Sequence, residues 1–123
     1  MKKILIPVCI LLLAACYNDK EDQLYPQPTA TTGCDTNNLS FATDIQPIMN
    51  QYCAIPDCHD AITKSFFHDL SNYDGVKKCA DGGRMIPSIK QESGYLPMPK
   101  GMNKLGDCEI SRISAWVNAG MPQ

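Results

Sequence analysis

A chain of 123 residues has room for one small domain, and a domain of that size keeps a marginal core unless a covalent link or a cofactor reinforces it. Its 13 acidic and 11 basic residues leave a net charge of −2, with no basic surplus for a nucleic-acid backbone. There is no phosphate-binding glycine motif, no serine-nucleophile motif and no internal repeat, which argues against nucleotide-dependent, serine-hydrolase and solenoid classes.

At the start, Lys2 and Lys3 precede an apolar run, Ile4 to Ala15, that is too short for an ordinary membrane span. The run ends Leu13-Ala14-Ala15-Cys16. This is similar to the lipobox of bacterial lipoproteins, where small residues precede a cysteine that is lipidated and becomes the first mature residue. The resemblance implies a signal peptide over residues 1–15 and a lipid anchor, palmitate included, on Cys16. Several acyl chains hold a protein to a bilayer firmly where one holds it weakly. A plain secretory signal with a chance cysteine is the alternative, and either exports the chain. The expected place is a bacterial membrane, with the outer membrane facing the periplasm preferred. Asp19, Glu21 and Asp22 resemble signals that send some lipoproteins to the cell surface, although a solvated linker explains them equally well. Residues 16–33 read as an anchored flexible linker, low in hydrophobicity and without period. The globular domain is expected over residues 34–123.

The first helix is expected over about 44–53. Thr43-x-x-Gln46 reads as a capping box with Thr43 or Asp44 at the cap, which places Pro47 in the first turn, where a missing N–H costs little. Ile45, Ile48 and Met49 form its apolar stripe. It delivers the chain into Cys53-Ala54-Ile55-Pro56-Asp57-Cys58-His59. Two cysteines followed at once by a histidine suit covalent attachment of haem c, with two thioethers and an adjacent imidazole for the iron. The usual spacing has two residues between the cysteines and here there are four, so the loop must bulge, and Pro56 stiffens it. A short-loop Cys53–Cys58 disulfide and half of a zinc site are the competing readings.

Further on, Asn72 to Ala80 suits a short helix with Ser71 or Asn72 as cap, ended by Asp81-Gly82-Gly83. Arg84 to Gln91 suits another turn or two, interrupted by Pro87. Ser93 to Gly106 is irregular and holds Pro97-Met98-Pro99, a methionine presented from a stiff backbone. The last helix is expected from Cys108 to about Ala119, with Asp107 as N-cap and Ile110, Ile113, Trp116 and Val117 on its apolar face. Lys77, Lys78, Arg84, Lys90, Lys100 and Lys104 fall in one stretch against Asp81 and Glu92. Such a run steers an acidic partner or is simply a solvated face, and the solvated face is preferred.

In order, these pieces resemble the small class I c-type cytochromes over roughly Phe41 to Met121, and most of all the exported, lipid-anchored monohaem forms with expanded Cys-x4-Cys-His spacing and a tryptophan in the closing helix. The resemblance implies an all-α, cytochrome c-like domain whose first and last helices pack around a covalent haem, with a loop-rich middle. It implies one haem c, thioethers at Cys53 and Cys58, His59 as proximal and Met98 as distal iron ligand. Met85, Met102 and Met121 compete with Met98 but lack its double-proline setting; His68 is the rival of another chemical type and is expected in solvent. Trp116 is expected in the core, against haem and the first helix. The implied function is membrane-anchored one-electron transfer between redox protein partners, a carrier and not an enzyme. The alternatives are a haem protein with an open sixth site that senses or transforms a gas or peroxide, or a haem-free, disulfide-stapled binding lipoprotein. No Arg/His pair is evident near Met98, which argues against peroxidase chemistry. In an oxidising compartment Cys34, Cys79 and Cys108 leave one thiol over. Cys34 with Cys108 is the preferred disulfide, since each precedes a helix expected to meet the other, and Cys79 is then a buried thiol. The sequence does not decide that pairing.

Overall fold

The computed structural model describes residues 34–123. The expected leader, residues 1–15, and the tether with Cys16, residues 16–33, lie outside the described residues. Among the described residues there are helices and turns and no strand, so the domain is all-α.

The first helix starts earlier than its sequence suggests. Ser40, not Thr43 or Asp44, is its cap: the Ser40 hydroxyl accepts from the Thr43 N–H at 3.3 Å, and the Ser40 N–H donates to the Asp44 carboxylate at 2.9 Å. A π-helical turn, Phe41–Ile45, opens the helix and α1, Gln46–Tyr52, continues it. Pro47 explains the wide turn. It has no N–H to return, and its ring would crowd the carbonyl one α-turn back, so a looser turn before it relieves the clash.

Helix α2, Tyr73–Asp81, follows its sequence signals. The Asn72 side chain accepts from the Gly75 N–H at 2.9 Å, and Gly82 and Gly83 end it, the latter at φ +72°. Gly75 is required where it stands: a Cβ there would sit 1.6 Å from the Asp69 carbonyl oxygen. Helix α3, Met85–Ile89, contains Pro87 without interruption, because the proline falls in the first turn, where its missing N–H has no intrahelical acceptor.

Helix α4, Asp107–Asn118, is capped by Gly106, with Asp107 as its first helical residue. The Glu109 carboxylate folds back into the space that a Cβ on Gly106 would fill. At the other end the Met121 N–H donates to the Trp116 carbonyl at 2.9 Å and the Gly120 N–H to the Val117 carbonyl at 3.1 Å, with Gly120 at φ +85°. Only a residue without Cβ takes that turn cheaply.

These elements close over one core. Ile45 and Met49 of the first helix, Val76 of α2 and Ile113 and Trp116 of α4 are sealed from solvent. The Phe41 ring lies 5.3 Å from Tyr73 and 5.9 Å from Trp116. The C-terminal tail ties this end together: the Pro122 carbonyl accepts from the Phe41 N–H at 3.1 Å and from the Trp116 indole at 2.7 Å, and the Tyr73 hydroxyl donates to the Met121 carbonyl at 2.9 Å. A disulfide between Cys34 and Cys108, with Cα atoms 5.4 Å apart, fastens the start of the domain to α4. Arg112 of α4 adds an ion pair to Asp44 at 3.7 Å. Among the described residues, no helix is long and apolar enough to cross a membrane.

Candidate functional site

The segment from Cys53 to His59 leaves α1 and turns back on itself. Cys53 and Ala54 still donate to the Met49 carbonyl, at 2.9 and 2.7 Å. Next comes a tight turn in which the Cys58 N–H donates to the Ile55 carbonyl at 3.1 Å, with Pro56 and then Asp57 at φ +66°. Proline followed by a left-handed residue is the pattern of a type II turn. This is the bulge that four intervening residues require. The His59 N–H then donates to the Cys53 carbonyl at 3.1 Å, closing the loop. From the far side the Leu70 N–H donates to the His59 carbonyl at 2.8 Å and the Ser65 N–H to the Cys58 carbonyl at 2.9 Å. The backbone of Cys58-His59 is therefore fixed before any ligand arrives.

The irregular stretch after α3 supplies a second wall. The Met98 N–H donates to the Ser88 carbonyl at 3.0 Å, which pins the methionine to α3. Between the two walls lies a cavity of about 430 Å³, lined by Cys53, Cys58 and His59 on one side of the sequence and by Met85, Ser88, Met98 and Lys100 on the other. That volume lies within the range of small-molecule and cofactor sites. Most of its wall is apolar, with Leu70, Ile89, Leu96 and Tyr95 among its surfaces. So Cys53, Cys58, His59 and Met98, separate in sequence, face one space.

Several neighbours were not expected. His68 is half-buried on the cavity wall, its ring centroid 6.1 Å from that of His59, and not in solvent. The hydrogen bond from Leu70 to His59 draws this segment inward. Burial, with His59 and Lys78 nearby, holds the His68 imidazole below its ordinary pKa. Arg84 also lines the cavity, so an arginine and a second histidine share its wall with Met98. Met85 and Met102 line the cavity as well, while Met121 packs against the core elsewhere. Trp116 packs on Phe41 and Tyr73 and is not part of the cavity wall.

Cys53, Cys58 and Cys79 are free thiols, so the short-loop disulfide is absent, and all three border the cavity. Burial, with Cys79 and Cys58 close by, pushes the Cys53 thiol up to about 12. Burial raises Cys79 too. Among the described residues no three His, Cys, Asp or Glu side chains gather as a metal-ion group.

The lining offers a mostly apolar surface together with the Cys53 and Cys58 sulfurs, the His59 imidazole and the Met98 thioether, the donor types that a planar cofactor with its own ring of metal ligands would use. The Nδ1 atom of His59 is buried with no hydrogen-bond partner, which is costly for a polar atom. In the loop that supplies Phe66 to the cavity wall, Lys64, Phe66 and Phe67 all have left-handed backbone, at φ +46°, +54° and +63°, and the Phe67 side chain is 96% exposed. Bulky residues seldom adopt that region.

Comparison with protein-family models, with curated proteins and with solved structures returned no match.

Proposed function

We propose that the chain is a monohaem c-type cytochrome, a one-electron carrier anchored to a membrane through Cys16. The observation that carries this reading is the single cavity whose wall combines Cys53, Cys58 and His59 with Met98. When bound, haem c supplies one-electron chemistry at its iron. The Cys53 and Cys58 sulfurs would hold the group as thioethers, and the His59 imidazole and the Met98 thioether would be its donors; a thioether favours the reduced metal and so would raise the potential relative to harder donors. The bonds from Leu70 to His59 and from Met98 to Ser88 hold the backbone of both donors. No substrate is turned over on this reading, so the protein is a carrier and not an enzyme. Its partners are redox proteins reached at a membrane surface, with the outer membrane facing the periplasm as the preferred place.

Gel staining for covalent haem tests this reading. Full-length protein produced with cytochrome maturation machinery is expected to stain after denaturation, and the double variant Cys53→Ala, Cys58→Ala is expected not to. An unstained wild type refutes the proposal.

One observation favours a second reading, a haem protein with an open sixth position: His68 and Arg84 share the cavity with Met98. A ferric absorption spectrum separates the two. The far-red sulfur-to-iron band is expected in the wild type and lost in Met98→Ala; its absence from the wild type favours the open site.

A further inference from the structure

Arg84 and Lys100 are the cationic Lys and Arg side chains on the cavity wall, and Asp57 is the one carboxylate there. Four other cations among the described residues are paired: Lys64 with Asp69, Lys77 with Asp81, Lys104 with Asp107 and Arg112 with Asp44. Neither Arg84 nor Lys100 has a carboxylate partner within ion-pair distance among the described residues. They border a surface that is otherwise mostly apolar, so they are its available partners for an anionic group.

Their placement is specific. Arg84 immediately precedes α3, and Lys100 follows the Met98 segment that is bonded to Ser88 of α3. Both therefore come from joined segments of the cavity wall that are separate in sequence from the cysteine loop. Haem carries two vinyl groups, which thioether formation consumes, and two propionate carboxylates on its other pyrroles. A group fastened by its vinyl carbons to Cys53 and Cys58 turns its carboxylates toward some other part of the wall.

We propose that Arg84 and Lys100 are the receptor for the two carboxylates of the bound cofactor, Arg84 through its forked guanidinium and Lys100 as a point charge. This rests on the haem reading above and goes beyond it by assigning the charged edge of the site. The six-residue basic stretch then divides: two members serve the cofactor, Lys77 and Lys104 neutralise acids of their own, and Lys78 and Lys90 are left to solvent.

The test uses haem-loaded full-length protein and the variants Arg84→Gln, Lys100→Gln, their combination, Arg84→Lys and, as control for loss of one positive charge, Lys90→Gln. Redox-induced infrared difference spectra report the propionate carboxylates, and a redox titration reports the ferric–ferrous equilibrium. The combined variant is expected to shift the carboxylate bands and to favour the ferric form by roughly threefold, since cations near the iron stabilise the reduced state. Arg84→Lys is expected to recover most of the Arg84→Gln effect on the equilibrium, and Lys90→Gln to move neither readout. Unchanged carboxylate bands in the combined variant overturn the assignment while leaving the haem reading intact. A wild type that carries no haem overturns both. Arg84 and Lys100 are exposed, so folding of their single variants is not at risk.

Discussion

The end of the domain around Trp116 and the side around His59 differ in how completely the chain satisfies itself. Trp116 is fully buried, its indole N–H donates to the Pro122 carbonyl, and Phe41 and Tyr73 pack on its faces. The first and last helices bond to the C-terminal tail there, and Tyr73 of α2 adds its hydroxyl to the Met121 carbonyl. His59 has a backbone fixed as firmly, yet a ring nitrogen without a partner and an apolar space in front of it. Phe66 on its wall, and Phe67 and Ile62 in the same loop, stand 70, 96 and 91% exposed. One region is closed by its own side chains, and the other leaves an apolar space that, on the proposed reading, a cofactor would fill.

Substitutions at the closed end should cost most. Trp116→Ala is expected to lose about 3–5 kcal/mol of unfolding free energy by urea titration; a loss under about 1 kcal/mol would mean that this end is less well sealed than described. Removing the disulfide with Cys34→Ser and Cys108→Ser is expected to cost about 2–4 kcal/mol, because the bridge spans 74 positions and restricts the unfolded chain strongly. A variant as stable as the parent would show that the link carries no stabilisation.

A smaller effect depends on pH. Bonds from the Ser40 N–H and Thr43, with Arg112 nearby, hold the Asp44 carboxyl below the usual carboxylate range despite partial burial. A depressed folded pKa gives stability that is present above the unfolded value, about 3.9, and lost as pH falls through the folded value. Asp44→Asn is expected to lose about 1 kcal/mol at neutral pH, the size of a helix cap, and to match the parent at strongly acid pH. An equal gap at both pH values would refute this cause.

The smallest effect is on the open side. Phe67→Asn is expected to leave stability unchanged or raise it by up to about 1 kcal/mol, since the ring is exposed and asparagine tolerates a left-handed backbone better. A loss of several kcal/mol would mean that Phe67 is packed in solution and would remove the contrast between the two regions.

Much of the helical frame was legible because apolar residues recur at helical spacing. The ends were less so. Thr43-x-x-Gln46 reads as a capping box, but the bonds that join Ser40 to Thr43 and Asp44 place the cap at Ser40. Pro87 reads as a break unless the start of α3 is known to within a residue. In the site, Cys53, Cys58, His59 and Met98 were legible as local motifs with their own chemistry. His68, Arg84 and Cys79 were not assigned to it, because their arrival depends on how α2, α3 and the loop before them are turned. No local pattern announces a bond such as that from Leu70 to His59, which brings His68 in from solvent.

Intact mass spectrometry of the mature protein, produced with cytochrome maturation machinery, tests the central claim most directly. The account predicts a chain heavier than its polypeptide and lipid by one haem, with the increment abolished in Cys53→Ala, Cys58→Ala. A wild-type mass equal to polypeptide plus lipid would contradict it.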